Sequence, residues 1–294
     1  GSCCYFAAAA SFFGGVRLVA AVGDDFPPEF RGVLERFRTI DLRGLETRKG
    51  SKTFRWGGKY LDNMDHRESL FTELNVLGED PPPIPAGFTD SRIVFLANAH
   101  PARQALVIDA MPKRRLVVAD TMDLWINIAK DDLLRLLKRV DGLVLNYDEA
   151  ELLTGRKNTV AAGRHILDMG PRFVVVKKGE HGCILIHRDG LAALPAYPTE
   201  DVVDPTGAGD TFAGGLMGRL AQFDAASSPD AGLPGRVGGR VTDLGSYEAL
   251  REAIVSGTVV ASFTIEKFSL DRLVEITPGD IIARSADYAR MLRV

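Results

Sequence analysis

The sequence predicts an α/β fold built on a largely parallel sheet. Three observations carry that expectation. From Asp90 onwards, short β-rich runs alternate with segments of helical period. Between Arg43 and Leu77 the texture changes to polar–apolar alternation, the mark of half-buried antiparallel strands. The 294 residues, 46% hydrophobic and 26% charged, have a globular balance with ample core for one large domain or two ordinary ones.

Taken in order, Tyr5 to Phe13 reads as an Ala-rich helix stopped by Gly14-Gly15. Val16 to Val22 is a strand, Gly23-Asp24-Asp25 a turn, and Pro27-Pro28 opens a helix to Phe37. Lys52 to Trp56, Lys59 to Leu61 and Ser69 to Val76 alternate as strands around Gly57-Gly58. Residues 43–77 are therefore expected as a β lid inserted into a core formed by 1–42 and 78–294. An edge sheet is the plainer reading of the same pattern. Pro81-Pro82-Pro83-Ile84-Pro85 is a stiff connector.

In the second half, Ile93 to Ala97, Arg115 to Ala119, Leu143 to Leu145 and Phe173 to Val176 read as strands. Helices are expected over Arg103 to Met111, Asp131 to Val140, Asp148 to Leu153 and Val160 to Met169. Cys183 to His187 and Leu191 to Leu194 form a hairpin pattern, and Asp201-Val202-Val203 a short β-type run. A helix follows over Thr211 to Leu220. Phe223 to Asp243 has the composition of a mobile loop, and a long helix spans Ser246 to Phe263. Leu273 to Ile276 and Asp280 to Leu292 close the chain.

The formal net charge of −3 gives no polyanion-binding surface, so nucleic acid is not an expected partner. No apolar run is long enough to cross a bilayer, and Tyr5 to Phe13 lacks the basic flank of a signal peptide. Cys3, Cys4 and Cys183 are odd in number and lack metal-ligand spacing, which fits a reduced, cytoplasmic setting.

In an open parallel sheet, ligands bind beyond the carboxyl ends of the strands. Three clusters follow strands here. Asn146-Tyr147-Asp148-Glu149 reads either as a helix cap with a capping-box acid or as an oxygen site for Mg2+. Lys177-Lys178-Gly179-Glu180-His181-Gly182 reads as a tight turn, or as a turn over which a phosphate chain lies, with lysines leading in. Asp204-Pro205-Thr206-Gly207-Ala208-Gly209-Asp210 opens a helix on small residues. Unpaired N–H groups of Gly207, Ala208 and Gly209 there suit an anion, and Asp210 is either a local cap or a base. Together these are the parts for phosphoryl transfer. The G-x-x-x-x-G-K-[ST] and G-x-G-x-x-G loops and the G-x-S-x-G elbow are absent.

The run from Asp204 to Gly215 resembles the C-terminal signature of the ribokinase-like (PfkB) carbohydrate kinases over its whole length. The helix after Gly1, Val22-Gly23-Asp24-Asp25, the β lid, Asn146 to Glu149 and Gly179 to Gly182 follow in the family's order, so the resemblance covers nearly the whole chain. It implies a three-layer α/β/α core with a small β lid, and transfer of a phosphoryl group from ATP to a hydroxyl of a sugar, nucleoside or related molecule. Asp210 resembles the base, and Gly207, Ala208 and Gly209 the anion hole. Asn146 and Glu149 resemble the motif that places Mg2+. Lys178, Gly179, Gly182 and Thr206 would lie along ATP, with Ser256 and Val260 near the adenine. Gly1, Ser2, Asn98 and Asp120, with Asp210, are the substrate-side candidates. The resemblance also leaves room for a monovalent cation such as K+ near Asp201 and Val203, and for a homodimer through the lid.

Two departures touch the substrate side. The family begins with a strand ending in a substrate-binding aspartate, which this sequence does not contain. The glycine pair before the first helix is represented by Gly1 alone, followed by Ser2 and Cys3-Cys4. Three functions stay open: a sugar kinase, a nucleoside kinase whose pocket draws on Phe12, Phe54, Trp56 or Trp125, and a catalytically silent sugar- or nucleotide-binding regulator.

Overall fold

The computed structural model describes residues 1–60, 67–227 and 241–293. The main sheet has six strands: β5 (Ile93–Leu96), β6 (Leu116–Asp120), β7 (Gly142–Asn146), β8 (Phe173–Lys177), β9 (Cys183–His187) and β10 (Gly190–Leu194). They lie in the order β10-β9-β8-β7-β6-β5. β5 to β8 are parallel, and β9 and β10 add as an antiparallel hairpin. Two further strands, β1 (Val16–Gly23) and β2 (Ile40–Arg48), pair in parallel as a separate sheet. β3 (Arg55–Tyr60) and β4 (Arg67–Glu73) form the antiparallel lid hairpin.

Strand parity sorts the core into two faces. On one face Val117, Ala119, Leu143, Leu145, Val174 and Val176 pack with α3 (Pro101–Asp109), α5 (Lys130–Leu137), α6 (Tyr147–Thr154) and α7 (Thr159–Asp168). On the other, Leu116, Val118, Val144, Phe173 and Val175 pack with α8 (Ala208–Ser227) and α9 (Tyr247–Thr264). This is the three-layer α/β/α core. The helix α1 (Ser2–Ala10) buries Ala7, Ala8 and Ala9 against Val259 and Val260 of α9. The remaining helices are α2 (Pro28–Glu35), α4 (Asp123–Ile128), α10 (Asp271–Glu275) and α11 (Pro278–Met291).

The structure departs from expectation at several places. The first helix runs from Ser2 to Ala10 rather than Tyr5 to Phe13. β3 passes through Gly57 and Gly58 as one strand, and Asn75 and Val76 belong to a 3-10 turn after β4. β2 runs from Ile40 to Arg48, so it crosses the expected lid boundary between 42 and 43. Its pairing with β1 outweighs the alternating pattern that tied residues 43–48 to the lid. Asp201-Val202-Val203 is exposed and is not a strand. Instead, the N–H groups of Val203 and Asp204 both donate to Ile265 O beyond α9, at 2.8 and 3.3 Å. Leu273 to Ile276 lies in and just after the short helix α10. Of the expected loop, Phe223 to Ser227 completes α8, and residues 228–240 lie outside the described residues. Leu61 of the lid pattern also lies outside them.

The lid is rooted in the turn after β1. Gly23 N donates to Thr53 Oγ1 at 3.0 Å, and Asp25 Oδ1 accepts from both Thr53 N and Thr53 Oγ1 at 2.7 Å. These bonds hold the Asp25 carboxyl below its ordinary range. A Cβ on Gly23 would lie 2.3 Å from Ser51 O, so the strand end and the lid root approach too closely for any side chain.

Candidate active site

Gly207 turns the chain into α8. It has φ +81°, and a Cβ there would lie 2.4 Å from the Tyr5 ring. Both facts demand glycine. Before it, Asp204 Oδ1 accepts from Thr206 N at 2.9 Å, closing a tight turn. Ala208, Gly209 and Asp210 then form the first turn of α8 and are half-buried. Ala208 N donates to Pro205 O at 3.1 Å within the turn, and the helix dipole makes this end positive.

Close packing fixes this helix end. A Cβ on Gly214 would lie 2.4 Å from Phe6 O of α1. One on Gly215 would lie 2.7 Å from Ser256 O of α9, and one on Gly257 2.7 Å from Phe212 O of α8. The glycines of the signature thus do two jobs: Gly207 and Gly209 open the helix end, and Gly214 and Gly215 seat its body. Thr264 Oγ1 donates to Thr211 Oγ1 at 2.9 Å, closing a buried bond between α8 and α9.

The carboxyl ends of β6, β7 and β8 face this helix end. Asp120, Asn146 and Lys177 terminate these adjacent strands. Each has the parity of the residues packed on the α8 layer: Leu116 and Val118, then Val144, then Phe173 and Val175. Lys177 Nζ lies 4.0 Å from Asp120 Oδ1. It also lies 2.8 Å from the position a Cβ on Gly209 would take. Burial pushes the Asp120 carboxyl up to about 7; Lys177 draws it back, while Asp210 and Glu149 push it further up. The Lys177 ammonium thus sits between the Asp120 carboxyl and Gly209 of the cradle.

The Asn146–Glu149 pair makes the capping box that the spacing allows. Asn146 Oδ1 accepts from Glu149 N at 2.8 Å, and Glu149 Oε2 accepts from Asn146 N at 2.8 Å. Glu149 is buried. Among the described residues, no group of three or more His, Cys, Asp or Glu side chains is placed to hold a metal. Such a donor set does not suit a closed protein cage. It suits Mg2+ that keeps its waters and is shared between one carboxylate and phosphates.

Gly179 and Gly182 have φ +53° and +82°, and Lys178 N donates to Gly182 O at 2.7 Å. This is the expected tight turn between β8 and β9. Ser256 is half-buried in α9, whereas Val260 is fully buried against α1 and serves packing.

The substrate-side candidates are less concentrated. Asn98 is engaged twice: Trp125 Nε1 donates to its Oδ1 at 2.7 Å, and its Nδ2 donates to Met122 Sδ at 2.8 Å. Trp125 is accordingly buried, and Phe12 packs edge-on against Phe37. Gly1, Ser2, Phe54 and Asn98 line a cavity of about 890 Å³ between β1 and β5. Asp120, Lys177 and Asp210 are not among its lining residues, but the Gly1 amino group at its α1 end feels the Asp210 charge.

The sequence offers both Lys177 and Lys178 to a phosphate chain, and Lys177 is the one placed beside Gly209. Tyr60 at the end of β3 also reaches the cradle, where its hydroxyl meets that of Thr206 at 3.2 Å. For Lys177 the signal was present: it continues the Phe173, Val175 alternation toward α8. For Tyr60 there was none, because only the folded lid brings it there.

The chain is 30% identical over 213 residues to the cytidine kinase of Thermococcus kodakarensis, covering 69% of this chain and 72% of that protein. Its fold is similar to that of the Burkholderia thailandensis nucleoside kinase in complex with inosine (TM-score 0.73, 16% identity, covering 98% of this chain and 87% of that one). It is also similar to Arabidopsis thaliana ribokinase complexed with ribose and ATP (TM-score 0.69, 17% identity, covering 97% and 86%). Residues 97–276, which hold Asp120, the capping box, the glycine turn and the whole α8 signature, match the pfkB family carbohydrate kinases, and the chain belongs to that family of phosphotransferases with an alcohol acceptor.

Proposed function

We propose that the chain is an ATP-dependent kinase acting on a hydroxyl of a sugar or sugar-bearing small molecule. The observation that carries this reading is the cradle. A left-handed Gly207 opens a helix end, Asp210 stands in its first turn, and the β6 and β8 ends supply Asp120 and Lys177 opposite. Asp210 takes the proton of the acceptor hydroxyl as that oxygen attacks the γ-phosphorus. The bond from the γ-phosphorus to the β,γ-bridging oxygen breaks, and ADP leaves with the electron pair. The N–H groups of Gly207, Ala208 and Gly209 hold the charge on the transferred group. Lys178, Gly179, Gly182 and Thr206 follow the phosphate chain, and Ser256 borders the base. Glu149, oriented by Asn146, would hold Mg2+ through water. Bound there, Mg2+ would neutralise phosphate charge.

A nucleoside acceptor is the second reading. It is favoured by the likeness to a cytidine kinase, which extends over 69% of this chain. The deciding measurement is ADP release with a panel of sugars and nucleosides, run on the wild type and D210N. Sugar-stimulated release supports the first reading and nucleoside-stimulated release the second. In either case D210N should lose about 10²–10⁴-fold in kcat. ADP release that no acceptor stimulates would favour a binding role.

No described helix is long and apolar enough to cross a membrane. A cytoplasmic, small-molecule enzyme remains our reading. Pairing through the lid is supported by Leu70 and Phe71, exposed apolar residues on β4. A K+ requirement, with Asp201 and Val203 nearest, is tested by the same assay in Na+ and K+ buffers.

A further inference from the structure

β8 ends at Lys177, and Lys178 lies just past it with φ −133° and ψ 36°, outside the strand. Lys177 follows Phe173 and Val175 toward α8. Its side chain is only 18% exposed, so the ammonium is held rather than waving in solvent. Two distances fix where it sits: 4.0 Å from Asp120 Oδ1, and 2.8 Å from the Cβ position of Gly209. The second distance is informative. A side chain at 209 would occupy the space of Nζ, so glycine there keeps room for a cation as well as exposing its N–H.

We propose that Lys177, rather than Lys178, is the cation that holds the transferred phosphoryl group over the N-terminus of α8. The inference rests on the phosphoryl-transfer reading and adds a catalytic residue to it. At rest Lys177 faces the buried Asp120. When the γ-phosphoryl oxygens enter the cradle, they offer a denser negative charge on the side of Gly209, and the ammonium shares it. Its positive charge meets the charge that builds on the equatorial oxygens, so it is worth most at the transition state. Its distance from Asp120 is longer than a direct hydrogen bond, so turning toward phosphate exchanges one charge partner for another and breaks no hydrogen bond to that carboxyl.

The test uses the intact chain with the acceptor found in the panel, comparing wild type, K177M, K177R, D120N and K177M/D120N. K177M should lower kcat by about 10²–10³-fold, the loss seen when one oriented donor to developing charge is removed. ADP lacks the γ-phosphoryl, so its dissociation constant, read by calorimetry, should change little. K177R should restore part of kcat because it keeps the charge. A K177M kcat near that of the wild type would overturn the proposal. So would an equal loss of ADP binding, which would put the lysine on the other phosphates. The double variant controls for an unpaired Asp120: if K177M/D120N regains the kcat of D120N alone, the lysine only served its carboxylate partner and the proposal fails. Absence of acceptor-stimulated ADP release in the wild type itself would instead sink the kinase reading.

Discussion

Thr206 Oγ1 donates a hydrogen bond of 3.2 Å to Tyr60 Oη, joining the anion cradle to the end of lid strand β3. The residues are 146 positions apart in sequence. The contact matters because the other end of the lid is rooted in the core by Thr53. The hairpin is thereby held at its root and at the residue that precedes the cradle.

Removing the Tyr60 hydroxyl tests that link. Y60F keeps the ring and loses one hydrogen bond, worth about 0.5–1.5 kcal/mol net. The acceptor KM should rise by about 2–10-fold, with the melting temperature unchanged, because the bond lies at the lid and not in the core. Equal KM values for Y60F and wild type would show that lid and cradle act independently.

Asp120 gives a pH signature. Burial raises its folded pKa to about 7 from the carboxylate value near 3.8, so the folded chain binds this proton more tightly than the unfolded one. Its contribution to stability is therefore full below about pH 4 and is lost as pH rises through about 7. The unfolding free energy of wild type, from urea titrations, should fall relative to D120N across that window, by about 1.4 kcal/mol at most for each pKa unit. A constant difference between the two proteins from pH 4 to 8 would remove the buried-acid assignment.

Much of this architecture was legible in the sequence, for physical reasons. The β5–β8 runs are short, apolar and bounded by turn residues, because strands covered on both faces need little else. The α8 signature was legible because close backbone approach admits only glycine at Gly214 and Gly215, and a positive φ against the Tyr5 ring requires it at Gly207. The β2 boundary was not legible: Ile40 to Arg48 alternates like a lid strand, and only its pairing with β1 assigns it to the core side. Tyr60 was not legible either, since no local pattern reports a contact with Thr206. Asn146 and Glu149 showed the limit of motif reading. The spacing is right for a cap and for a metal site, and the structure makes the cap without excluding the other.

The seat of α8 on α9 is a second target. Gly215→Ala would bring a Cβ to 2.7 Å from Ser256 O, a backbone atom that cannot swing away. The helices must separate by a few tenths of an ångström, at a cost of about 1–3 kcal/mol as for other overpacked cores. Because α8 carries Asp210 at its first turn, kcat should fall together with the denaturation midpoint. A variant as stable and active as wild type would mean that the two helices adjust freely.

Glu149 lets the cap be separated from the charge. Its Oε2 accepts from Asn146 N at 2.8 Å while Asn146 Oδ1 accepts from Glu149 N. Glutamine keeps an acceptor oxygen for that bond and is itself a capping-box residue, so E149Q should preserve the start of α6 and the melting temperature within about 1 °C. It removes the negative charge that would hold a hydrated Mg2+ beside the phosphates. If Glu149 serves the metal, the Mg2+ concentration for half-maximal activity should rise about 10–100-fold, as for other groups that orient metal ligands. E149A, in contrast, breaks the cap as well and should lose stability. The informative comparison is therefore the Mg2+ titration of E149Q against wild type at matched stability. An unchanged Mg2+ response would leave Glu149 as a helix cap alone and move the metal role to the phosphates and water.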